Sequence, residues 1–348
     1  MKRISDPDQL AAAGLVPADK LEVLHRVASR WAVSITPAMQ ARIDPADPAD
    51  PIARQLVPSE AELAVAIDER EDPIGDAAYS PVKGVTHRYP DRVLLKPTHA
   101  CAVYCRFCFR REAVGPGGES LSPAELDAAL SYIERDERIW EVILSGGDPL
   151  ILSPRRLGEI VRRLDAIGHL GVIRVHTRVP AAEPERVDAE LVAALRARKA
   201  VWIVLHANHA RELDEPTRAA VARLVDAGLP VLAQTVLLAG VNDDPATLEA
   251  LLRGLVAMRV KPYYLHHADL APGTGHFRAS IAAGQALVRG LRGRISGLCQ
   301  PSYVLDVPGG AGKVPIGPSY LRESLADGKT VVEDWQGKLH LYPDVEGR

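Results

Sequence analysis

The sequence predicts an α/β protein organised around a mostly parallel sheet, and three observations carry that expectation. Six short β-rich runs, at residues 92–95, 142–145, 172–175, 201–205, 231–236 and 263–265, recur at about the thirty-residue spacing of a strand–helix unit. Between them lie amphipathic stretches with helical periodicity: Leu157, Ile160, Val161 and Leu164 form one apolar face, and Leu248, Leu251, Leu252 and Leu255 another. Helix starts are marked by a capping residue followed by proline, at Ser122-Pro123, Ser153-Pro154 and Asp244-Pro245. A repeat of this kind builds either a doubly wound sheet or a barrel, and periodicity alone does not separate them.

Residues 1–85 read differently. Residues 21–28 have helical spacing, the prolines of residues 44–51 break any helix there, and Ser59 is placed to cap a start with Glu60 and Glu62 in its first turn. This stretch is expected to be a small helical cap, and no chemistry is assigned to it. Residues 86–300 carry the strand–helix repeat, and residues 301–348 form a C-terminal loop and tail.

With 47% hydrophobic residues and a formal net charge of −3, the composition is that of an ordinary globular chain. No basic excess points to nucleic acid. The N-terminus lacks the apolar core of a signal peptide, and no run approaches the eighteen or so apolar residues of a membrane span. A cytoplasmic protein with no membrane or nucleic-acid partner is expected.

The chemistry is concentrated in Cys101-Ala-Val-Tyr-Cys105-Arg-Phe-Cys108, which holds three of the four cysteines. A structural zinc site wants four ligands, usually as two separated pairs, and no second pair exists. Disulfides at such short spacing strain their geometry and leave one thiol over. Three thiolates suit a 4Fe–4S cluster with one iron left open. Arg110 and Arg111 follow directly; they are either a solvated basic turn or a guanidinium clamp for a carboxylate. Ser145-Gly-Gly-Asp-Pro149 ends a strand, where glycines form an ordinary turn or let a ligand approach the backbone. Pro308-Gly-Gly-Ala-Gly-Lys313 is not a phosphate-binding P-loop, because Val307 and Val314 replace the glycine and hydroxyl residue that motif requires.

The cysteine spacing, with Phe107 just before the last thiol, resembles the radical S-adenosylmethionine (SAM) enzymes. The segments His87-Arg-Tyr-Pro-Asp-Arg92-Val, Cys105-Arg-Phe-Cys-Phe-Arg-Arg111, Ser145-Gly-Gly-Asp-Pro149 and Asp306-Val-Pro-Gly-Gly-Ala-Gly-Lys313 resemble, in that order, the lysine 2,3-aminomutase family. The match runs from about Asp72 to the C-terminus. It implies a partial (βα)6 barrel with the N-terminal region as a cap, and active-site residues just after the strands. It further implies interconversion of L-lysine and β-lysine through a 5′-deoxyadenosyl radical and migration of the amino group. Three cofactors follow: a 4Fe–4S cluster on Cys101, Cys105 and Cys108; SAM at Gly146, Gly147, Asp148, His206 and Gln234; and pyridoxal phosphate (PLP).

By the same resemblance Lys313 forms the Schiff base with PLP, and Arg88, Tyr89 and Arg92 hold its phosphate. Arg110 takes the substrate carboxylate, while Asp269 and Asp306 face the side-chain ammonium. A lone His, Gln or Asp at such positions is otherwise usually structural. A reducing electron donor is implied, and a homo-oligomer is expected. Two departures stand out. The C-terminal zinc cysteines of the lysine-fermenting members are missing, so no zinc is expected and Cys299 stands alone. His266 occupies a position where those enzymes place a tyrosine near PLP. The shorter form resembles the bacterial branch that makes β-lysine for elongation factor P. The competing readings are the same chemistry on arginine, a catalytically silent PLP- or SAM-binding relative, and a plain zinc-binding α/β protein.

Overall fold

The computed structural model describes residues 2–115, 118–325 and 328–344; the last four residues of the expected C-terminal tail lie outside them. Its main sheet has nine strands whose spatial order equals their order in the chain. Strand β1 (Val85–Tyr89) pairs antiparallel with β2 (Arg92–Thr98). From β2 the sheet runs parallel through β3 (Glu141–Gly146), β4 (Val172–Thr177), β5 (Ala200–His206), β6 (Val231–Leu237), β7 (Val260–His267) and β8 (Ser302–Val307). Strand β9 (Gly312–Pro315) turns back antiparallel on β8. A doubly wound sheet reverses its strand order at a switch point, whereas this order never reverses. The sheet therefore curls one way into a barrel, left open between β1 and β9.

Among the described residues, four α-helices lie in the N-terminal region and seven in the crossovers between strands. In the N-terminal region α1 (Pro7–Ala12), α2 (Leu21–Arg30), α3 (Pro37–Gln40) and α4 (Pro51–Leu56) are short, because prolines and turns interrupt them. The crossovers are α5 (Pro123–Arg135), α6 (Pro154–Ala166), α7 (Val179–Ala182) with α8 (Ala189–Ala194), α9 (Glu215–Asp226), α10 (Pro245–Ala257) and α11 (Ile281–Leu291). Ser122, Ser153 and Asp244 cap α5, α6 and α10 as expected, each followed by proline, and Ser122 forms a reciprocal capping box with Glu125. Ser59 also caps, but the element it starts is a single 3-10 turn rather than an α-helix.

The expected faces hold. Leu157, Ile160, Val161 and Leu164 are buried against the sheet, as are Leu248, Leu251, Leu252 and Leu255. On the strands, one set of alternating residues packs under these helices, among them Val93, Leu95, Val142, Leu144, Ile173 and Val175. The other set turns inward, and there the barrel is polar: Lys96, Ser145, Arg174, His176, His206, Gln234, His266 and Asp306. That interior is what the fold exists to present.

Two features differ from the sequence expectation. The sheet runs past residue 300: the short apolar run Tyr303-Val304 lies in β8, a seventh parallel strand joined through α11, and β9 follows it into the same sheet. The C-terminal segment thus contributes to the barrel, and its remainder forms a separate three-stranded antiparallel sheet of β10 (Leu321–Ser324), β11 (Lys329–Glu333) and β12 (Leu339–Pro343). Secondly, the N-terminal region is more than a cover. The Tyr104 N–H donates to Ser34 O at 3.1 Å and the Arg106 N–H to Gln55 O at 2.8 Å, so the cysteine loop is hydrogen-bonded to it directly. No helix among the described residues is long and apolar enough to cross a membrane.

Candidate active site

The cysteine loop follows β2, as in other barrels whose chemistry gathers at the C-terminal ends of the strands. Cys101, Cys105 and Cys108 are all free thiols. Burial pushes the Cys101 thiol well up, with further contributions from Asp148 and the other two sulfurs. Burial and Cys105 likewise raise Cys108 to about 11. The three sulfurs are therefore close enough to oppose one another's ionisation, which is the electrostatics of a ligand set that wants a cation among them. Cys299, by contrast, is buried in an apolar cluster with Leu248, Leu252 and Leu291. It is a core residue.

The loop is held in place by buried charges supplied by the N-terminal region. Arg106 Nε donates to both oxygens of Glu62 at 3.0 and 3.1 Å, and Arg111 pairs with the same carboxylate. Arg111 is thus a structural anchor, while its neighbour Arg110 turns inward. On the other side Arg178 Nη1 lies 2.8 Å from Cys105 Sγ, while its Nη2 donates to Gln55 Oε1 and Glu212 Oε2 at 2.7 and 2.9 Å. One guanidinium therefore ties a cysteine sulfur of the loop to Gln55 and Glu212.

The turn after β3 packs onto the loop's base. A Cβ on Gly147 would lie 2.2 Å from Ala100 O, and Gly146 adopts φ +98°, so both positions need glycine. Asp148 requires a correction. Its carboxylate accepts from Thr177 Oγ1 at 2.8 and 3.0 Å, from the Arg178 N–H at 2.7 Å, and from the Val179 and Leu150 N–H groups at 3.2 and 3.0 Å. These donors occupy both oxygens, so Asp148 ties the ends of β3 and β4 together and has no lone pair left for a ligand ammonium. His206 stacks on Phe107 at 5.6 Å between ring centroids, and burial with the nearby Arg178 charge drives it down to about 3, so it is a neutral ring. Gln234 stands beside it, paired in register across β5 and β6.

Further along the interior, two charge clusters face the same space. At one, Asp76 from the N-terminal region accepts from Arg88 Nη2 at 3.1 Å and from Arg110 Nε and Nη2 at 3.0 and 2.9 Å. Lys96 Nζ is 3.9 Å from the same carboxylate. Arg88 Nε is buried and unpartnered. At the other cluster Lys313 Nζ is paired with Asp306 and lies 3.3 Å from His266 Nδ1. Its ammonium also sits over the Tyr264 ring, 5.6 Å from the centroid. Asp306 is held well below the usual carboxylate range by His266 and Lys313 against the opposing effect of burial, while burial keeps His266 neutral. Asp269 is the exception: its Oδ1 is buried without a hydrogen-bond partner, and burial together with the Asp306 charge pushes its carboxyl up to about 7.

Two further residues expected at the phosphate stand at the open seam of the barrel. The Tyr89 hydroxyl accepts from the Lys313 N–H at 2.7 Å, bridging the two open edges of the barrel. Arg92 stacks on the Tyr89 ring at 3.8 Å and pairs with Asp91 at 2.6 Å, leaving it partly exposed. Sequence reasoning missed Asp76, Lys96, His176 and Arg178. Lys96, Arg174 and His176 did leave a signal: strands buried on both faces should read as near-continuous apolar runs, and these polar residues interrupt them at alternate positions. Asp76 left none, since it comes from a coil in the region expected to be inert.

Two family models match the chain: the Radical SAM superfamily over residues 95–251 and Lysine-2,3-aminomutase over residues 288–347. The chain is 40% identical to the L-lysine 2,3-aminomutase of Acetoanaerobium sticklandii, across 99% of this chain and 83% of that protein. It is 40% identical to the enzyme of the same name from Clostridium subterminale, across 90% and 75% of the two chains. A glutamate 2,3-aminomutase of Clostridioides difficile is 34% identical, across 98% and 81%.

Proposed function

This chain belongs to the lysine 2,3-aminomutase family, and from that premise we propose that it is an isomerase moving the 2-amino group of L-lysine to carbon 3. Its cofactors are those of the family: a 4Fe–4S cluster, SAM and PLP. When bound, the cluster and SAM would supply radical chemistry, and PLP an aldehyde able to hold an amino group. The residues fit these groups. Three mutually crowded thiols suit a cluster of cations, and Arg88, with an unpartnered guanidinium nitrogen, suits a phosphate.

The remaining work falls to the chain itself. Cys101, Cys105 and Cys108 would hold the iron, with Arg178 Nη1 donating to the Cys105 sulfur. Gly146 and Gly147 open the backbone beside the cluster, with neutral His206 and Gln234 lining the same side for SAM. Lys313 must shed a proton before its nitrogen can attack an aldehyde. His266 Nδ1, 3.3 Å from that nitrogen, is placed to exchange the proton, while Asp306 holds the amine by its ion pair. Arg110, fixed by Asp76, points its remaining nitrogen Nη1 toward the interior for the substrate carboxylate. A reducing electron donor completes the system, in a cytoplasmic setting.

The observation behind the choice of lysine is Asp269. A buried carboxyl oxygen without a partner is costly, and an ammonium group satisfies it. It lies close enough to Asp306 for the two charges to oppose each other, which favours a cation between them and repels a second substrate carboxylate such as glutamate's. Anaerobic incubation of the reconstituted enzyme with SAM, PLP, reductant and lysine, arginine or glutamate, resolved by chiral chromatography, tests it. β-Lysine is the expected product. β-Glutamate or β-arginine as the main product would overturn the substrate assignment, and tight SAM and PLP binding without turnover would favour the silent relative.

A further inference from the structure

Lys96 is a half-buried cation that nothing above uses. It stands on β2 at an inward position with its side chain 12% exposed. Its stem packs closely on Gly146, where an added Cβ would lie 2.9 Å from Lys96 Cβ. Its ammonium reaches Asp76 Oδ2 only at 3.9 Å, outside hydrogen-bonding distance. The reason is occupancy: Arg88 takes Asp76 Oδ1, and Arg110 takes Oδ2 through two nitrogens. Three cations thus converge on one buried carboxylate whose oxygens are already engaged. Burial and the Arg110 charge pull the Lys96 ammonium down, and Asp76 and Asp72 hold it up. A surplus of positive charge out of water is stabilised by an anion placed against it. Lys96 and Arg110 are also next to the same turn, for Arg110 Nη1 lies 3.5 Å from Ser145 Oγ, one residue from the glycine on which Lys96 packs.

We propose that Lys96 is a second carboxylate-binding residue, which together with Arg110 grips the carboxylate of a bound α-amino acid. The identity of that amino acid as the substrate lysine rests on the function proposed above; the methionine end of SAM presents the same chemistry. Asp76 then acts as the shared positioning residue, holding both cations in place while leaving each with donors to spare.

The test uses the holoenzyme with cluster and PLP but no reductant, so that ligands bind without turning over. Lysine and lysinol, in which an alcohol replaces the carboxylate, are titrated by the change in PLP absorbance, and SAM by calorimetry. In Lys96→Met the Kd for lysine is expected to rise at least about tenfold, the scale of one lost charge-assisted hydrogen bond, with lysinol and SAM unchanged. Lys96→Arg should recover most of the loss. A tenfold weaker SAM with lysine unchanged would still support carboxylate binding and move it to the methionine end. Equal weakening of lysine and lysinol, or no change in any Kd in a protein of unaltered PLP content, would overturn the proposal. Should the wild-type protein respond to a different amino acid instead of lysine, the function proposed above fails, and that amino acid compared with its alcohol still tests Lys96.

Discussion

The two charge clusters inside the barrel are built on opposite plans. Around Asp76, cations outnumber the acid, and the acid is saturated with hydrogen bonds while Lys96 is left reaching. Around Lys313, acids outnumber the lysine, and Asp306 is paired with it while Asp269 is left orphaned. Each cluster therefore ends in one unsatisfied charge, positive at one and negative at the other. A pocket so polarised suits a molecule that carries a carboxylate at one end and an ammonium at the other. It also separates two jobs that a single ion pair would confuse: the paired acids Asp76 and Asp306 position side chains, and the unsatisfied groups meet the ligand.

Breaking the acid-rich cluster at its centre has the largest effect. Lys313→Ala is expected to abolish turnover and to leave no PLP fixed to the protein after borohydride reduction, whereas the wild type yields label on the peptide containing Lys313. Label on Lys96 or Lys261 instead would show that the wrong amine has been identified. Next comes the orphan. Asp269→Asn should lower kcat/KM for lysine by about 2–4 kcal/mol, or roughly thirtyfold to a thousandfold, because the substrate ammonium then enters a buried place without its counter-charge. Norleucine, which has no such ammonium, should bind the variant and the wild type alike; a shared loss would place the defect in the fold.

The comparison sharpens with pH. Asp269 is pushed up to about 7, first by burial and then by the Asp306 charge. A raised carboxyl is charged above that value and neutral below it, so lysine affinity should fall as pH drops through about 7 and level off above. In Asp306→Asn one of the two causes is gone, so the limb should move to lower pH. Titration of kcat/KM between pH 5.5 and 8.5 reads this, with norleucine binding as the control. A limb that stays in place in Asp306→Asn would separate the two acids and dismantle the acid-rich cluster as a unit.

Legibility divided along the same line. The strand–helix repeat was readable because parallel strands and amphipathic helices announce themselves by period, while the barrel came only from the family resemblance; Ser122, Ser153 and Asp244 marked helix starts that the structure keeps. Lys313, Asp306 and Asp269 were singled out through the family resemblance, and the structure brings Lys313 and Asp306 into an ion pair with Asp269 near enough to feel the Asp306 charge. What sequence could not give is who pairs with whom. Asp148 looks like a ligand residue until its carboxylate is seen to accept from Thr177 and three backbone N–H groups. Asp76 looks like coil, yet it organises the cation-rich cluster from more than thirty residues before Arg110, which it holds at 2.9 Å. Such pairings depend on the closure of the barrel and the path of the N-terminal region over it, and no local pattern encodes either.

The smallest expected effect concerns the seam where the barrel fails to close. Tyr89 ends β1, and its hydroxyl accepts the Lys313 N–H at 2.7 Å, joining the first edge strand to the last. Gly312 allows this approach: it adopts φ +98°, and a Cβ there would come within 3.1 Å of the same hydroxyl. Tyr89→Phe keeps the ring on which Arg92 stacks and removes only the acceptor, so the cost should be about 1 kcal/mol, the net worth of one neutral hydrogen bond. A thermal shift of a few degrees and a severalfold loss of kcat are expected, with PLP content intact, because the backbone that carries Lys313 loosens while Arg88 remains. If Tyr89 instead holds the phosphate itself, the variant will lose PLP on dialysis before it loses thermal stability, and the order of those two losses decides between a seam and a cofactor contact.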